Sequence, residues 1–302
     1  MYTTLISVEE LQALHVGGKP HMVFDCTFDL MNPASGQEQY DSAHIPGAVY
    51  ANLDTALSDQ GTLDENGCVV PSADAASGGR HPLPSRETFA IWLSSVGFAN
   101  DMQAVVYDRN GANYCGRLWW MLKWAGHDAV AVLDGGLQAW QAAGGAVTAT
   151  PEPAHFQSNF KLGPPLRKLV GTADVEQGLA SAGQTIVDAR AAPRFRGEVE
   201  PLDPVAGHIP GALNRPFTLN VGTDGRFKPA AQLKSEFEQL LGQRDASSVV
   251  HHCGSGVSAI PNLLAMEVAG YPPQALYAGS WSEWCRDPKR PVERGQGNGR
   301  VN

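Results

Sequence analysis

The feature that most constrains this chain is an internal repeat. Three segments of the first half recur, in the same order, in the second half. The pairs are FDCTFDLMNPASGQEQYDSAHIPGAVY (24–50) with VDARAAPRFRGEVEPLDPVAGHIPGAL (187–213), VVYDRNG (105–111) with VVHHCGS (249–255), and VLDGGLQAW (132–140) with LYAGSWSEW (276–284). A two-fold repeat of units this long predicts two copies of one domain rather than a solenoid.

The boundary between the copies follows from composition. The segment VTATPEPAHFQSNFKLGPPLRK (147–168) contains four prolines and has no sustained hydrophobic period, as is typical of a linker. We therefore predict a first domain over 1–146, a linker over 147–168, a second domain over 169–290, and a polar tail over 291–302.

Within each half, apolar runs typical of strands alternate with helical patterns. In the first half HMVFDC and QAVVYD read as strands, whereas PSRETFAIWLSSVG and GRLWWMLKWAG read as helices. This alternation predicts an α/β fold, twice over, in which each parallel sheet has helices on both faces.

Charge and composition exclude some classes of function. The net charge is −9, with 31 acidic against 22 basic residues, so no basic face for nucleic acid is expected. No apolar run reaches the roughly 18 residues of a membrane span, and the amino terminus lacks the pattern of a secretory signal. The five cysteines form no CxxC pair, which favours free thiols in a reducing compartment such as the cytoplasm.

One cysteine lies where an open parallel sheet binds its ligands. Cys253 directly follows the apolar strand SVVHH, and a helix is expected to begin near Ser258, with Pro261 tolerated in its first turn. The backbone N–H groups expected to surround its sulfur belong to Gly254, Ser255, Gly256, Val257 and Ser258. Such amides and a helix N-terminus lower the pKa of a thiol, which makes it a better nucleophile.

The alternative is an inert, buried cysteine in a turn that needs glycine for its geometry. The first half bears on this choice, because it has Arg109 at the matching position. Two copies share one scaffold and only one has cysteine there, which favours a functional thiol.

The tandem halves, the paired AHIPGA and GHIPGA segments and CGSGVSA together resemble the two-domain rhodanese-like sulfurtransferases, and within them the members that use 3-mercaptopyruvate. The similarity covers the chain up to about Arg290. It implies that Cys253 takes a sulfur atom from 3-mercaptopyruvate, releases pyruvate and holds a persulfide. A thiol such as that of thioredoxin, or cyanide, then accepts the sulfur, without a metal or another cofactor.

The resemblance also implies how the donor is bound. Members that prefer thiosulfate carry basic side chains in the cysteine loop, whereas Gly254, Ser255 and Gly256 are neutral. Arg194 aligns with the arginine that binds the carboxylate of the donor, and Arg190 and Arg196 are expected to be structural or surface residues. A second family arginine has no counterpart in EVEPLDPVAGH, and Arg80 is a candidate replacement.

A relay of serine, histidine and aspartate completes the site that the resemblance implies. Ser255 matches the serine, His81 in GGRHPLP matches the histidine, and Asp54 in ANLD matches the aspartate. Such a relay would carry a proton to the departing enolate.

Other interpretations are weaker. His251 and His252 adjoin Cys253, but neighbouring strand residues point to opposite faces, so no metal site is expected. A phosphatase of the same fold needs arginine where this chain has Ala259. A non-catalytic binding module would not need Cys253, and a thiosulfate sulfurtransferase is the main alternative.

Cys68, in the longer loop of the first half, is expected to be an exposed thiol.

Overall fold

The chain folds into two sets of parallel strands with helices between them. The computed structural model describes residues 1–65, 69–181 and 183–297. Its strands are β1 (Leu5–Ile6), β2 (His21–Asp25), β3 (Val49–Tyr50), β4 (Thr62–Leu63), β5 (Val69–Val70), β6 (Gln103–Tyr107), β7 (Val130–Leu133), β8 (Lys168–Val170), β9 (Thr185–Asp188), β10 (Leu213–Asn214), β11 (Val249–His252) and β12 (Ala275–Tyr277). Its helices are α1 (Val8–Val16), α2 (Ala34–Ser42), α3 (Arg86–Ser95), α4 (Cys115–Trp124), α5 (Gly136–Ala142), α6 (Thr172–Ser181), α7 (Ala192–Phe195), α8 (Ala230–Leu241), α9 (Ile260–Val268) and α10 (Ser280–Trp284).

The two five-stranded sheets have the same topology, and β4 pairs with β5 in a separate antiparallel sheet. One has the order β1-β7-β6-β2-β3 and the other β8-β12-β11-β9-β10, with every pair parallel. All residues of β6 and of β11 are buried although successive side chains point to opposite faces, so both faces of each sheet are covered. The predicted α/β class with two copies of one domain is confirmed.

Local sequence explains where two of the helices begin. Ser7 caps α1 by accepting from the N–H of Glu10, whose carboxylate accepts in return from the N–H of Ser7. Ser85 caps α3, because its Oγ accepts from the N–H of Thr88.

None of the described helices is both long enough and apolar enough to cross a bilayer.

The described chain packs as two compact units, neither of which is one continuous stretch. The first consists of Met1–Ser58, Pro84–Leu166 and Val221–Phe227. The second contains Asp59–Leu83, Arg167–Asn220 and the chain from Lys228 onwards. The described residues 59–65 and 69–83, which precede the predicted linker, therefore belong to the same unit as the second sheet.

Candidate active site

Cys253 lies at the carboxyl end of the central strand of the second sheet. It follows β11, which pairs with β9 on one side and β12 on the other. Its side chain is buried, with only 2% of the residue exposed. This is the edge of a parallel sheet at which ligands bind, so the placement expected from the sequence is the observed one.

The loop after Cys253 is fixed by the segment that joins β12 to α10. The N–H of Cys253 donates to Ser280 Oγ at 3.1 Å, and the Cys253 carbonyl accepts from the N–H of Trp281 at 3.0 Å. The Gly254 carbonyl accepts from the N–H of Ser282 at 2.9 Å. These bonds hold the first two residues of the loop against a neighbouring turn.

Backbone amides further along the loop remain open to a ligand. Within the residues that the structure describes, the N–H groups of Val257 and Ser258 donate to no protein acceptor. α9 begins at Ile260 rather than near Ser258, because the N–H of Ile260 first closes a turn onto the Val257 carbonyl at 3.1 Å. Pro261 lies in the first turn of this helix, as expected.

His81 and Ser255 meet directly in the second unit. Their Nδ1 and Oγ atoms are 2.7 Å apart, and both residues are buried. The N–H of Arg80 donates to Ser282 Oγ at 3.0 Å, which anchors the segment that carries His81. The histidine and the serine of the expected relay are therefore hydrogen-bonded.

Asp54, the third member of that relay, belongs to the first unit. Its N–H donates to Asn52 Oδ1 at 2.8 Å, and burial raises the pKa of its carboxyl group. Its participation in the relay stays a prediction from the resemblance.

Two arginines lie beside the cysteine loop. A Cβ atom built on Gly254 would lie 3.2 Å from Nη2 of Arg80 and 3.7 Å from both Nη atoms of Arg194. Both guanidinium groups are partly open to solvent, with 24% and 19% of the side chains exposed. The residue after Cys253 thus faces two cations that are suited to binding a carboxylate.

Acidic side chains that the sequence analysis did not single out hold these arginines. Arg80 Nη1 donates to Asp203 Oδ1 at 2.6 Å, whereas Arg194 Nη2 donates to Glu200 Oε1 at 2.6 Å and to Asp203 Oδ2 at 3.3 Å. Both acids lie in the segment EVEPLDPVAGH, which lacks the second family arginine. Their spacing, six and nine residues after Arg194, is the sequence signal that indicates them.

Arg190 lies beneath these groups. It donates to both carboxylate oxygens of Asp188, its Nη1 lies 3.2 Å from Glu200 Oε2, and its guanidinium lies 4.7 Å from the centre of the Trp281 ring. Burial would raise the pKa of Asp188, but the charge and hydrogen bonds of Arg190 outweigh it and lower that pKa. Burial lowers the pKa of His252, which favours its neutral form.

Arg196, by contrast with the buried Arg190, pairs with the exposed Glu198.

The matching loop of the first unit is filled by its own side chains. The Asp108 carboxylate accepts from the N–H groups of Asn110, Ala112, Tyr114 and Cys115 at 2.8 to 3.1 Å.

Arg109, which aligns with Cys253, donates instead to Thr27 Oγ1 at 2.7 Å and to the carbonyl oxygens of Gln39 and Ala43. Four amides of this loop therefore donate to an internal carboxylate, so the two copies differ in chemistry as well as in sequence. Cys68 lies outside the described residues.

Comparison with known proteins identifies the same domain twice. The family described as "Rhodanese-like domain" matches residues 7–143 and 172–287. The chain is 45% identical over 278 residues to a probable 3-mercaptopyruvate sulfurtransferase of Pseudomonas aeruginosa, covering 91% of this chain and 92% of that protein. It is 37% identical to the putative thiosulfate sulfurtransferase SseB of Mycobacterium tuberculosis, covering 96% and 97% of the two chains. Among solved structures, 3-mercaptopyruvate sulfurtransferase from Leishmania major superposes with a TM-score of 0.76 at 31% identity, covering 95% of this chain and 76% of that one.

Proposed function

Because this chain belongs to the rhodanese-like family, we propose that it is a sulfurtransferase that takes sulfur from 3-mercaptopyruvate through a persulfide on Cys253. The observation that carries the proposal is the juxtaposition at the end of β11. A cysteine, amides without a protein acceptor and two arginine side chains lie on one loop or directly against it. The relatives named for 3-mercaptopyruvate support the choice of donor.

The first step forms a sulfur–sulfur bond. The Cys253 thiolate attacks the sulfur of 3-mercaptopyruvate, and the carbon–sulfur bond of the donor breaks. The electron pair of that bond leaves with the organic fragment as pyruvate enolate, which becomes pyruvate when its carbon takes up a proton. The loop amides, including those of Val257 and Ser258, stabilise the sulfur anion, as amides do at other anion sites.

The arginines and the relay have separate tasks in this step. Arg194 and Arg80 bind the donor carboxylate, which places its sulfur toward Cys253. Ser255 and His81, joined by their hydrogen bond, carry the proton of the donor's thiol group to the enolate, which leaves the persulfide on Cys253 as its anion. Asp54 is proposed as the carboxylate that supports this relay, on the basis of the family resemblance alone.

The second step returns the enzyme to its starting state. A thiol acceptor such as thioredoxin, or cyanide, attacks the outer sulfur of the persulfide, the sulfur–sulfur bond breaks, and the Cys253 thiolate leaves. Thiol acceptors of this kind are reduced in the cytoplasm, and the described cysteines are unpaired. We therefore place the reaction there, with no nucleic acid, membrane or metal taking part.

Thiosulfate is the second candidate donor. The relative named as a putative thiosulfate sulfurtransferase supports it, and two arginines would also accept a sulfonate-like anion. The neutral side chains of the cysteine loop favour the singly charged carboxylate instead.

Intact-mass measurement tests the proposal. The reduced protein is exposed separately to 3-mercaptopyruvate and to thiosulfate, and we expect 3-mercaptopyruvate to add about 32 Da, the mass of one sulfur atom. Cys253→Ser should add nothing, whereas Cys285→Ser, which removes another buried cysteine, should still gain the sulfur. Gain mainly from thiosulfate would favour the second candidate, and no gain from either donor would refute the sulfurtransferase proposal.

A further inference from the structure

Six charged side chains form a continuous network beside Cys253, which we call the arginine–carboxylate cluster. Its members are Arg80, Asp188, Arg190, Arg194, Glu200 and Asp203. Each carboxylate is within ion-pair distance of at least one of the arginines, and each arginine of at least one carboxylate. Three cations and three anions cancel, so the cluster as a whole carries no net charge.

Asp203 has a distinct position in this cluster, because it bridges the two arginines that face the loop. Its Oδ1 accepts from Arg80 and its Oδ2 from Arg194. Only 3% of its side chain is exposed, whereas the arginines above it are 24% and 19% exposed. Asp203 therefore lies on the inner side of both guanidinium groups and leaves their outer sides open to a ligand.

The position of Gly254 links this cluster to the chemistry. Both guanidinium groups lie within 4 Å of the point where a Cβ of Gly254 would be, and Gly254 is bonded to Cys253. An anion bound by Arg80 and Arg194 is thus held next to the reactive sulfur, and the charge that it experiences includes that of Asp203.

We propose that Asp203 is the specificity-determining residue for donor charge: it fixes Arg80 and Arg194 and cancels part of their positive charge, so that a monoanion is preferred over a dianion. This inference rests on the proposed function for the identity of the donors. At neutral pH 3-mercaptopyruvate has one carboxylate charge, whereas thiosulfate has two.

The physical reason is the proportionality of Coulomb energy to ligand charge. Removing the charge of Asp203 leaves the cluster with one net positive charge at a partly buried site, where screening by water and salt is incomplete. A dianion gains twice as much from that change as a monoanion at the same place. A residue that only supports the fold would affect both donors alike.

The test compares Asp203→Asn with Glu198→Gln. Asparagine keeps the size of the side chain and one acceptor oxygen, while Glu198→Gln removes a charge from the same segment at an exposed residue that pairs with Arg196. We expect the ratio of kcat/KM for thiosulfate to that for 3-mercaptopyruvate to rise about tenfold in Asp203→Asn, from the Coulomb argument with partial screening. Glu198→Gln should leave the ratio unchanged. An equal fall with both donors would show that Asp203 is only structural and would overturn the inference.

Anion binding gives a second measurement that needs no turnover. In the Cys253→Ser background, calorimetric titration with pyruvate and with sulfate should show that Asp203→Asn strengthens sulfate binding about tenfold more than pyruvate binding. Arg80→Gln, which removes a positive charge, should shift this ratio in the opposite direction. Equal effects on the two anions, or binding of neither, would refute the inference.

The two measurements separate this inference from the proposed function. If the protein uses neither donor but the sulfate-to-pyruvate ratio shifts as expected, the sulfurtransferase proposal fails and the charge selectivity stands. If sulfur is transferred and neither ratio shifts, the function stands and Asp203 does not set donor charge.

Discussion

The hydrogen bond between His81 and Ser255 joins two residues that lie far apart in the chain. The donor–acceptor distance of 2.7 Å and the burial of both side chains indicate a bond that water does not easily replace. Ser255 is two residues from Cys253, so this bond brings an imidazole to the cysteine loop. Proton transfer to the leaving enolate would depend on both members.

A double-mutant cycle tests this pairing. We expect Ser255→Ala and His81→Gln each to lower kcat for pyruvate formation at least about tenfold, because each interrupts the same proton path. The double variant should be no slower than the worse single variant, since either single change already breaks the hydrogen bond on which the proposed proton path depends. Rates are measured by stopped-flow, and thermal melts check folding. Losses that multiply in the double variant would mean that the two residues act independently.

The turn between β11 and α9 is the element that forms the site, and one glycine sets its shape. Gly256 has a φ of +75°, and a Cβ there would lie 2.3 Å from the carbonyl oxygen of Ala278. The backbone of the loop passes too close to the neighbouring turn for any side chain. Gly254, by contrast, has no positive φ, and the three atoms nearest to a Cβ there are nitrogens at the flexible ends of the arginines.

Alanine substitutions at the two glycines should therefore differ. Gly256→Ala is expected to lower the free energy of unfolding by about 2 kcal/mol or more and to abolish persulfide formation, because the loop must move away from Ala278. Gly254→Ala should change stability by less than about 1 kcal/mol and mainly raise the KM for the donor by displacing Arg80. Denaturant unfolding and steady-state kinetics of both variants provide the comparison. A Gly256→Ala protein as stable and active as the parent would contradict this account of the turn.

The loop sequence predicted most of this element but not the residues packed against it. The strand, the cysteine after it and Pro261 in the first helical turn follow from local patterns. Local patterns do not predict that α9 begins at Ile260 or that Gly256 lies against Ala278. Both features depend on how β12 and α10 meet the loop.

At the scale of the whole molecule, the two copies share a strand order and differ in what occupies the loop. In the first unit the Asp108 carboxylate accepts four backbone N–H groups, and in the second His252, the aligned residue, accepts none of them. The same turn is closed around an internal anion in one copy and left open to an external one in the other.

Introducing the nucleophile should therefore not be enough to activate the first copy. We expect Arg109→Cys, made in the Cys253→Ser background, to gain no sulfur from 3-mercaptopyruvate in the intact-mass measurement. Four amides of that loop, including that of Tyr114, which aligns with Ser258, already donate to Asp108, and this carboxylate would repel a thiolate. Protein with Cys253→Ser alone is the matched control. A gain of about 32 Da, assigned to position 109 by peptide mapping, would show that the cysteine alone distinguishes the copies.

The sequence by itself determined the duplication, the α/β class and the position of Cys253 at the end of a strand. These depend on hydrophobic period and on residues adjacent in the chain, which a linear pattern records. Only the tertiary structure decided that residues 59–65 and 69–83 belong to the second unit, that His81 bonds Ser255, and that Glu200 and Asp203 hold the arginines beside Gly254. These contacts join segments separated by long stretches of chain, and no local propensity specifies which distant side chains meet once those stretches have folded.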